Sequence, residues 1–146
     1  MIIAAFIISI LSLIVAFSSV VITLYDKNVI KNNVRLLIYL SQIEFWFPDN
    51  DDIINYSCGK EFLNTIDRIV VPDNEIYCSS TLEIRLLLDR LTEKLNEFCN
   101  FCRNHNSSFA WNHKSIGEVV SLIKKEIDIE NSISDKGKTI IKNIFR

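Results

Sequence analysis

Charge is missing from the opening stretch of this chain. Met1 to Tyr25 holds no Asp, Glu, Lys or Arg, so every charged side chain lies beyond Tyr25. Glycine is scarce, with only Gly59, Gly117 and Gly137. That excludes a glycine-rich loop cradling phosphates, a dinucleotide fingerprint and a nucleophile elbow, all of which need glycines at fixed spacing. Proline occurs only at Pro48 and Pro72, so few positions impose a break on a helix. A strong charge bias is also absent. The formal net charge is -2 with no basic cluster interleaved with aromatics, which argues against nucleic acid as a partner.

What is present begins with the uncharged stretch itself. Ile2 to Leu24 is dominated by Ile, Leu, Val and Phe, with Ser9, Ser12, Ser18, Ser19 and Thr23 as its polar members. About 20 apolar residues span the ~30 Å hydrocarbon core as a helix. The hydroxyls can bond back to their own helix, which a bilayer tolerates. The rival is a cleaved signal peptide, which needs a basic leader and a shorter apolar core. Met1 runs directly into Ile2, and apolar residues continue past the weak cleavage candidate Ala16-Phe17-Ser18. The expectation is an anchor over residues 1–25 and a soluble domain over 26–146, with 26–47 able to continue the membrane helix. Lys27, Lys31 and Arg35 follow the apolar run and no basic residue precedes it. The positive-inside rule then puts the C-terminal domain in the cytoplasm. Tyr25 stands where an interfacial anchor is expected.

Ala5, Ser9, Ser12, Ala16, Ser19 and Thr23 recur at intervals of four and three. Small residues along one seam let two membrane helices approach closely. Two readings stand: a homo-oligomer built through Ala5, Ser9, Ser12, Ala16 and Ser19, or chance alignment of residues common in membrane helices.

The remainder is long enough for one compact domain. Val29, Ile30, Val34, Leu37, Ile38 and Leu40 predict an apolar helical face, joined by Tyr39, Phe45 and Trp46, before Pro48-Asp49-Asn50-Asp51-Asp52 stops the helix. Ile53 to Val71 predicts one or two short helices broken near Gly59, with Ile69-Val70-Val71 able to be extended. Pro72-Asp73-Asn74-Glu75 stops the chain again. Ser80 and Glu83 form a capping-box pattern ahead of a helix from Thr81 to Arg103. Ile84, Leu88, Leu91, Leu95, Phe98 and Cys102 lie on its regular four-three seam, with Arg85 placed to reach Asp89 and Arg90 to reach Glu93. Arg103 to Ser108 predicts a polar loop. Ser115 and Glu118 predict a helix from Ile116 to about Ile127, and Ser132 or Ser134 a last one. No alternating strand pattern is evident. The fold class expected is all-α: one transmembrane helix followed by a small bundle of four or five helices.

Cys58, Cys78, Cys99 and Cys102 are the four cysteines. Cys99 and Cys102, with His105 and His113, offer two thiolates and two imidazoles for tetrahedral zinc. The spacing matches no standard finger, and Cys102 falls on an apolar seam where a thiol serves as a small hydrophobe. Buried thiols are the reading favoured over metal, redox or disulfide use, and a cytoplasmic domain would keep them reduced. His105 and His113 sit among Asn, Ser and Lys and read as solvated loop residues. Asp49 to Asp52 fails as a calcium loop, because the sixth position is Ile54 and the twelfth Lys60. Neither a cofactor site nor a catalytic constellation emerges. The basic C-terminus, with Lys136, Lys138, Lys142 and Arg146 among Ile140, Ile141, Ile144 and Phe145, reads as a bundle helix with a solvated face, or as a helix lying on an anionic leaflet. The functional expectation is a non-enzymatic, membrane-anchored interaction or scaffolding protein, with an unidentified protein partner or itself. The alternative is a small membrane-active effector or toxin-like protein working through an oligomerised anchor.

Overall fold

The structure is a computed structural model of the chain, and it describes residues 2–48, 54–56, 59–105 and 109–144. The fold is all-α, with a two-stranded ribbon added. The first helix, α1 (Ile2–Trp46), has 45 residues and therefore runs about 67 Å at 1.5 Å per residue. It is the one described helix long and apolar enough to cross a membrane.

The two ends of α1 differ in what surrounds them. The apolar end is open: Ile3, Phe6, Leu13 and Phe17 are 66% to 76% exposed, and among the described residues only the end of the last helix comes beside it, at Ser19, Ile22 and Thr23. Each of its hydroxyls donates to the carbonyl four residues back, Ser9 to Ala5 and Ser12 to Ile8 at 2.9 Å, Thr23 to Ser19 at 2.8 Å. At the other end Leu36, Tyr39, Leu40, Ile43 and Phe47 are buried. This corrects the expected face. Leu40 and Tyr39 are inside, but Ile30, Val34, Leu37, Ile38 and Phe45 are exposed. Leu36 and Ile43 supply the inward positions instead. The helix ends before Pro48, its last turn closed by Phe47 N–H donating to Ile43 C=O.

After β1 (Ile54–Tyr56), helix α2 (Lys60–Val70) starts at Gly59 and buries Ile66 and Val70. Ile69 and Val70 are thus helical, and only Val71 is extended. Helix α3 (Asn74–Ser79) is capped by the Asp73 carboxylate, which accepts from Glu75 N–H at 2.8 Å. Helix α4 (Leu82–Asn104) buries the whole seam predicted for it, Ile84, Leu88, Leu91, Leu95, Phe98 and Cys102, together with Cys99. Its start differs from the expected capping box. Ser80 Oγ donates to Ile76 C=O at 2.7 Å and accepts from Asn32 Nδ2 at 3.3 Å, so it closes α3 and fastens it to α1. Arg85 does not pair with Asp89 either. Its guanidinium donates to the Ser80 carbonyl at 2.8 Å, while Asp89 accepts from the Tyr77 hydroxyl at 3.0 Å.

Strand β2 (Phe109–Trp111) pairs antiparallel with β1, Ile54 opposite Trp111 and Tyr56 opposite Phe109. The sequence pattern did not announce these strands. They are held by ring packing: Phe98 lies within 4.9 to 6.2 Å of Phe47, Tyr56, Phe62, Phe109 and Trp111, centroid to centroid. Tyr56 also donates to the Trp46 carbonyl at 2.9 Å, pinning the ribbon to the end of α1.

The last helix is α5 (Lys114–Ile144), 31 residues without interruption. Two corrections follow. The Asn112 side-chain oxygen, not Ser115, accepts from the first free N–H, that of Lys114, at 3.0 Å. And no second helix begins at Ser132 or Ser134; both lie within α5. α5 runs antiparallel to α1. Lys124 pairs with Glu44, Asn33 donates to Asn131 at 3.1 Å, and Ser134 donates to Asp26 at 2.7 Å. Ile116, Val119, Val120, Ile123 and Ile127 close the core from this side.

Candidate functional site

The cysteine and histidine candidates part company in the fold. Cys99 and Cys102 are buried on the inner face of α4, as a packed thiol would be. His105 is exposed just past α4; its ring stacks on Phe101 at 3.7 Å and its Nδ1 lies 2.8 Å from the Phe101 carbonyl. His113 is fully buried beside the start of α5, which corrects its reading as a solvated loop residue. Among the described residues no three or more His, Cys, Asp or Glu side chains gather as metal ligands would. Cys78 is exposed and sits 3.4 Å from the Asn74 side-chain oxygen. Cys58 and the Asp49 to Asp52 stretch lie outside the described residues.

Three phenols are shifted upward, each for a structural reason. Burial pushes Tyr39 well above the ordinary phenol range, and its hydroxyl donates to Ile69 C=O at 2.9 Å, tying α1 to α2. Burial, reinforced by the Cys102 thiol, pushes Tyr56 up to about 12. The Tyr77 shift comes first from its hydrogen bond to the Asp89 carboxylate. All three act as ties between elements.

The features that remain are surfaces. On α1, Ile30, Val34 and Leu37 are 45%, 51% and 40% exposed, and Ser41 follows. Their intervals of four, three and four continue the seam of Ala5, Ser9, Ser12, Ala16, Ser19 and Thr23 in register, since Ile30 stands seven residues after Thr23. At 100° per residue this face points about 135° away from the buried one. The seam therefore does not stop where the apolar run stops. On α5, Leu122, Ile129, Ile133 and Ile140 form a second exposed row, at intervals of seven and four.

Where α5 ends, it reaches past Asp26 to the apolar part of α1. Ser19, Ile22, Thr23, Asp26, Lys27 and Ile30 of α1 and Lys138 and Lys142 of α5 line a crevice of about 540 Å³. Asp26 is nearly buried, held by Ser134 and with Lys138 Nζ at 3.8 Å. No local pattern in the sequence links Asp26 to Ser134; a contact across 108 positions is invisible to periodicity. The chain matches no protein-family model, no curated protein and no solved structure.

Proposed function

We propose that this protein is a single-pass, membrane-anchored interaction module whose first partner is a second copy of itself. The carrying observation is the continuity of α1: an apolar segment with its large side chains largely exposed leads, without a break, into the helix around which the domain packs. In water each Å² of that apolar surface costs about 25 cal/mol, and a bilayer removes the cost. Lys27, Lys31 and Arg35 favour a cytoplasmic domain. Because α1 is one unbroken helix, the domain in this reading stands at a set height and rotation on the membrane.

The partner surface in this reading is the extended seam. Its small residues allow close approach within the bilayer, and their hydroxyls are already satisfied by their own helix, so packing is its main contribution. Outside the bilayer Ile30, Val34 and Leu37 add apolar area that the single chain leaves uncovered. The role is binding and placement, not catalysis. A photo-crosslinking amino acid placed in turn at positions 28, 30, 34 and 37 of the full chain in cell membranes tests it. A dimer band at positions 30, 34 and 37, and little at the off-seam position 28, is expected. Equal yields at all four, or none, would overturn the self-association.

A further inference from the structure

We propose that the crevice between the exit of α1 and the end of α5 binds an anionic phospholipid of the surrounding bilayer, its phosphate held by Lys138, Lys142 and Lys27. The inference rests on the membrane-anchored reading above. The crevice has the two-part chemistry of such a ligand. Its lower wall is Ser19, Ile22 and Thr23, within the apolar run, where an acyl chain lies. Facing it on α5 are the ammonium-bearing Lys138 and Lys142, with Lys27 on α1 near Asp26, so three cations line the crevice with one carboxylate, that of Asp26.

The balance of charge in this crevice selects the occupant. Asp26 is 9% exposed by its side chain and already accepts from Ser134 Oγ, so it faces α5 more than the opening. Lys138 is 3.8 Å from Asp26 and 3.9 Å from Asp135, two ion pairs at the long end of the range, so Lys27 and Lys142 supply the cations that the crevice leaves over. Lys142 is exposed and makes no ion pair among the described residues. Its aliphatic stem can lie along Ile22 while the ammonium rises to headgroup level, as basic side chains at a membrane boundary do. These cations also offset the partial negative charge at the C-terminal end of α5, which would otherwise repel a phosphate. Cytoplasmic leaflets supply anionic lipid at this depth. The crevice shares Ser19, Thr23 and Ile30 with the α1 seam, so a lipid bound here covers that part of the self-association face and leaves Ala5 to Ala16, Val34 and Leu37 to the second copy.

Native mass spectrometry of the full chain released from detergent micelles tests the site. Phosphatidylglycerol and phosphatidylcholine of equal chain length are the probes, with inorganic phosphate as competitor. Retention of phosphatidylglycerol over phosphatidylcholine is expected, undiminished by millimolar phosphate. Removing two cations that each contribute roughly fivefold should cut retention more than tenfold in Lys138→Gln/Lys142→Gln. Lys142→Gln alone, which disturbs no ion pair among the described residues, should give part of that loss. The charge-matched control Lys60→Gln/Lys125→Gln, on exposed positions elsewhere, should retain lipid as before. Equal retention of the two lipids, equal loss in the control, or displacement by free phosphate would each overturn the lipid site. Alkaline extraction of cell membranes separates this from the anchor: a chain that stays in the pellet but shows no lipid preference overturns the site only, and a chain released into the supernatant overturns the anchor.

Discussion

The two halves of α1 share one backbone and almost one composition of large aliphatics, yet they meet different surroundings. Residues 3–24 expose Ile, Leu, Val and Phe on all sides, while residues 36–47 send Leu36, Tyr39, Leu40, Ile43 and Phe47 into a packed core. The difference lies in the polar residues. Between Asp26 and Glu44 charged and amide side chains interrupt the apolar surface, and three of them, Asp26, Asn33 and Glu44, carry the contacts to α5. Before Asp26 no charged or amide side chain marks a face, and among the described residues only the end of α5 comes beside this half, at Ser19, Ile22 and Thr23. A helix without a polar side calls for cover on all sides, by a core or by a bilayer; a helix with one calls for cover on a single face.

The sharpest way to break this comparison is to remove the same side chain from each half. Leu40→Ala, at a fully buried position, should cost about 2–5 kcal/mol in thermal or denaturant unfolding of the domain. Leu13→Ala, 71% exposed in the chain, should leave domain unfolding within about 0.5 kcal/mol. Equal effects would mean that the halves are not distinct.

A second test rotates the halves against each other. One alanine inserted after Tyr25 turns the apolar half by about 100° relative to the core half, and seven inserted residues bring it back to within about 20°. Crosslinking at position 34 should fall several-fold with the single insertion and recover with the longer one. If both insertions behave alike, the two parts of the seam do not act together.

Asp26 marks the border between the halves. Asp26→Ala removes the acceptor for Ser134 and should destabilise the α1–α5 pair by about 1–3 kcal/mol, read as faster amide exchange in the last turns of α5. No change in that exchange would mean that the end of α5 is not held by this contact.

The smallest effect expected lies at the far end of the core half. The Tyr56 phenol is raised from 10.0 to about 12, so the folded state prefers it neutral. Its contribution to stability is complete below pH about 10 and is lost as pH rises toward about 12, because the unfolded chain ionises first. Tyr56→Phe should flatten stability over that alkaline interval, and Tyr39→Phe should act in the same direction. A wild-type curve already flat there would contradict the burial of these rings.

How much of this was legible depends on how local each signal is. The α4 seam could be read because Ile84 to Cys102 alternate cleanly with charge. The core face of α1 could not, because Ile30, Val34, Leu37 and Ile38 are as apolar as Leu36, Leu40 and Ile43, and only tertiary contacts decide between the two sets. Ser80 and Glu83 match a capping box in letters, but Asn32 and the Ile76 carbonyl claim the hydroxyl. Ser132 and Ser134 suggested a fresh start, yet Ser134 instead spends its hydroxyl on Asp26 inside one long helix. The ribbon escaped notice because each strand is three residues long and depends on rings from α1, α2 and α4. His113 looked solvated from its polar neighbours and is buried by the turn into α5. Surfaces were less legible than the fold: the crevice joins residues more than a hundred positions apart.

The most direct measurement is amide hydrogen exchange of the full chain in lipid nanodiscs, read across Val20 to Asn33. The account predicts unbroken slow exchange from the apolar run through Tyr25 and Asp26 into the core half, with no fast amides at the border. Rapid exchange at Tyr25 to Lys27 would show two separate elements joined by a hinge, and rapid exchange through Ile7 to Leu11 would show that no bilayer surrounds the first half.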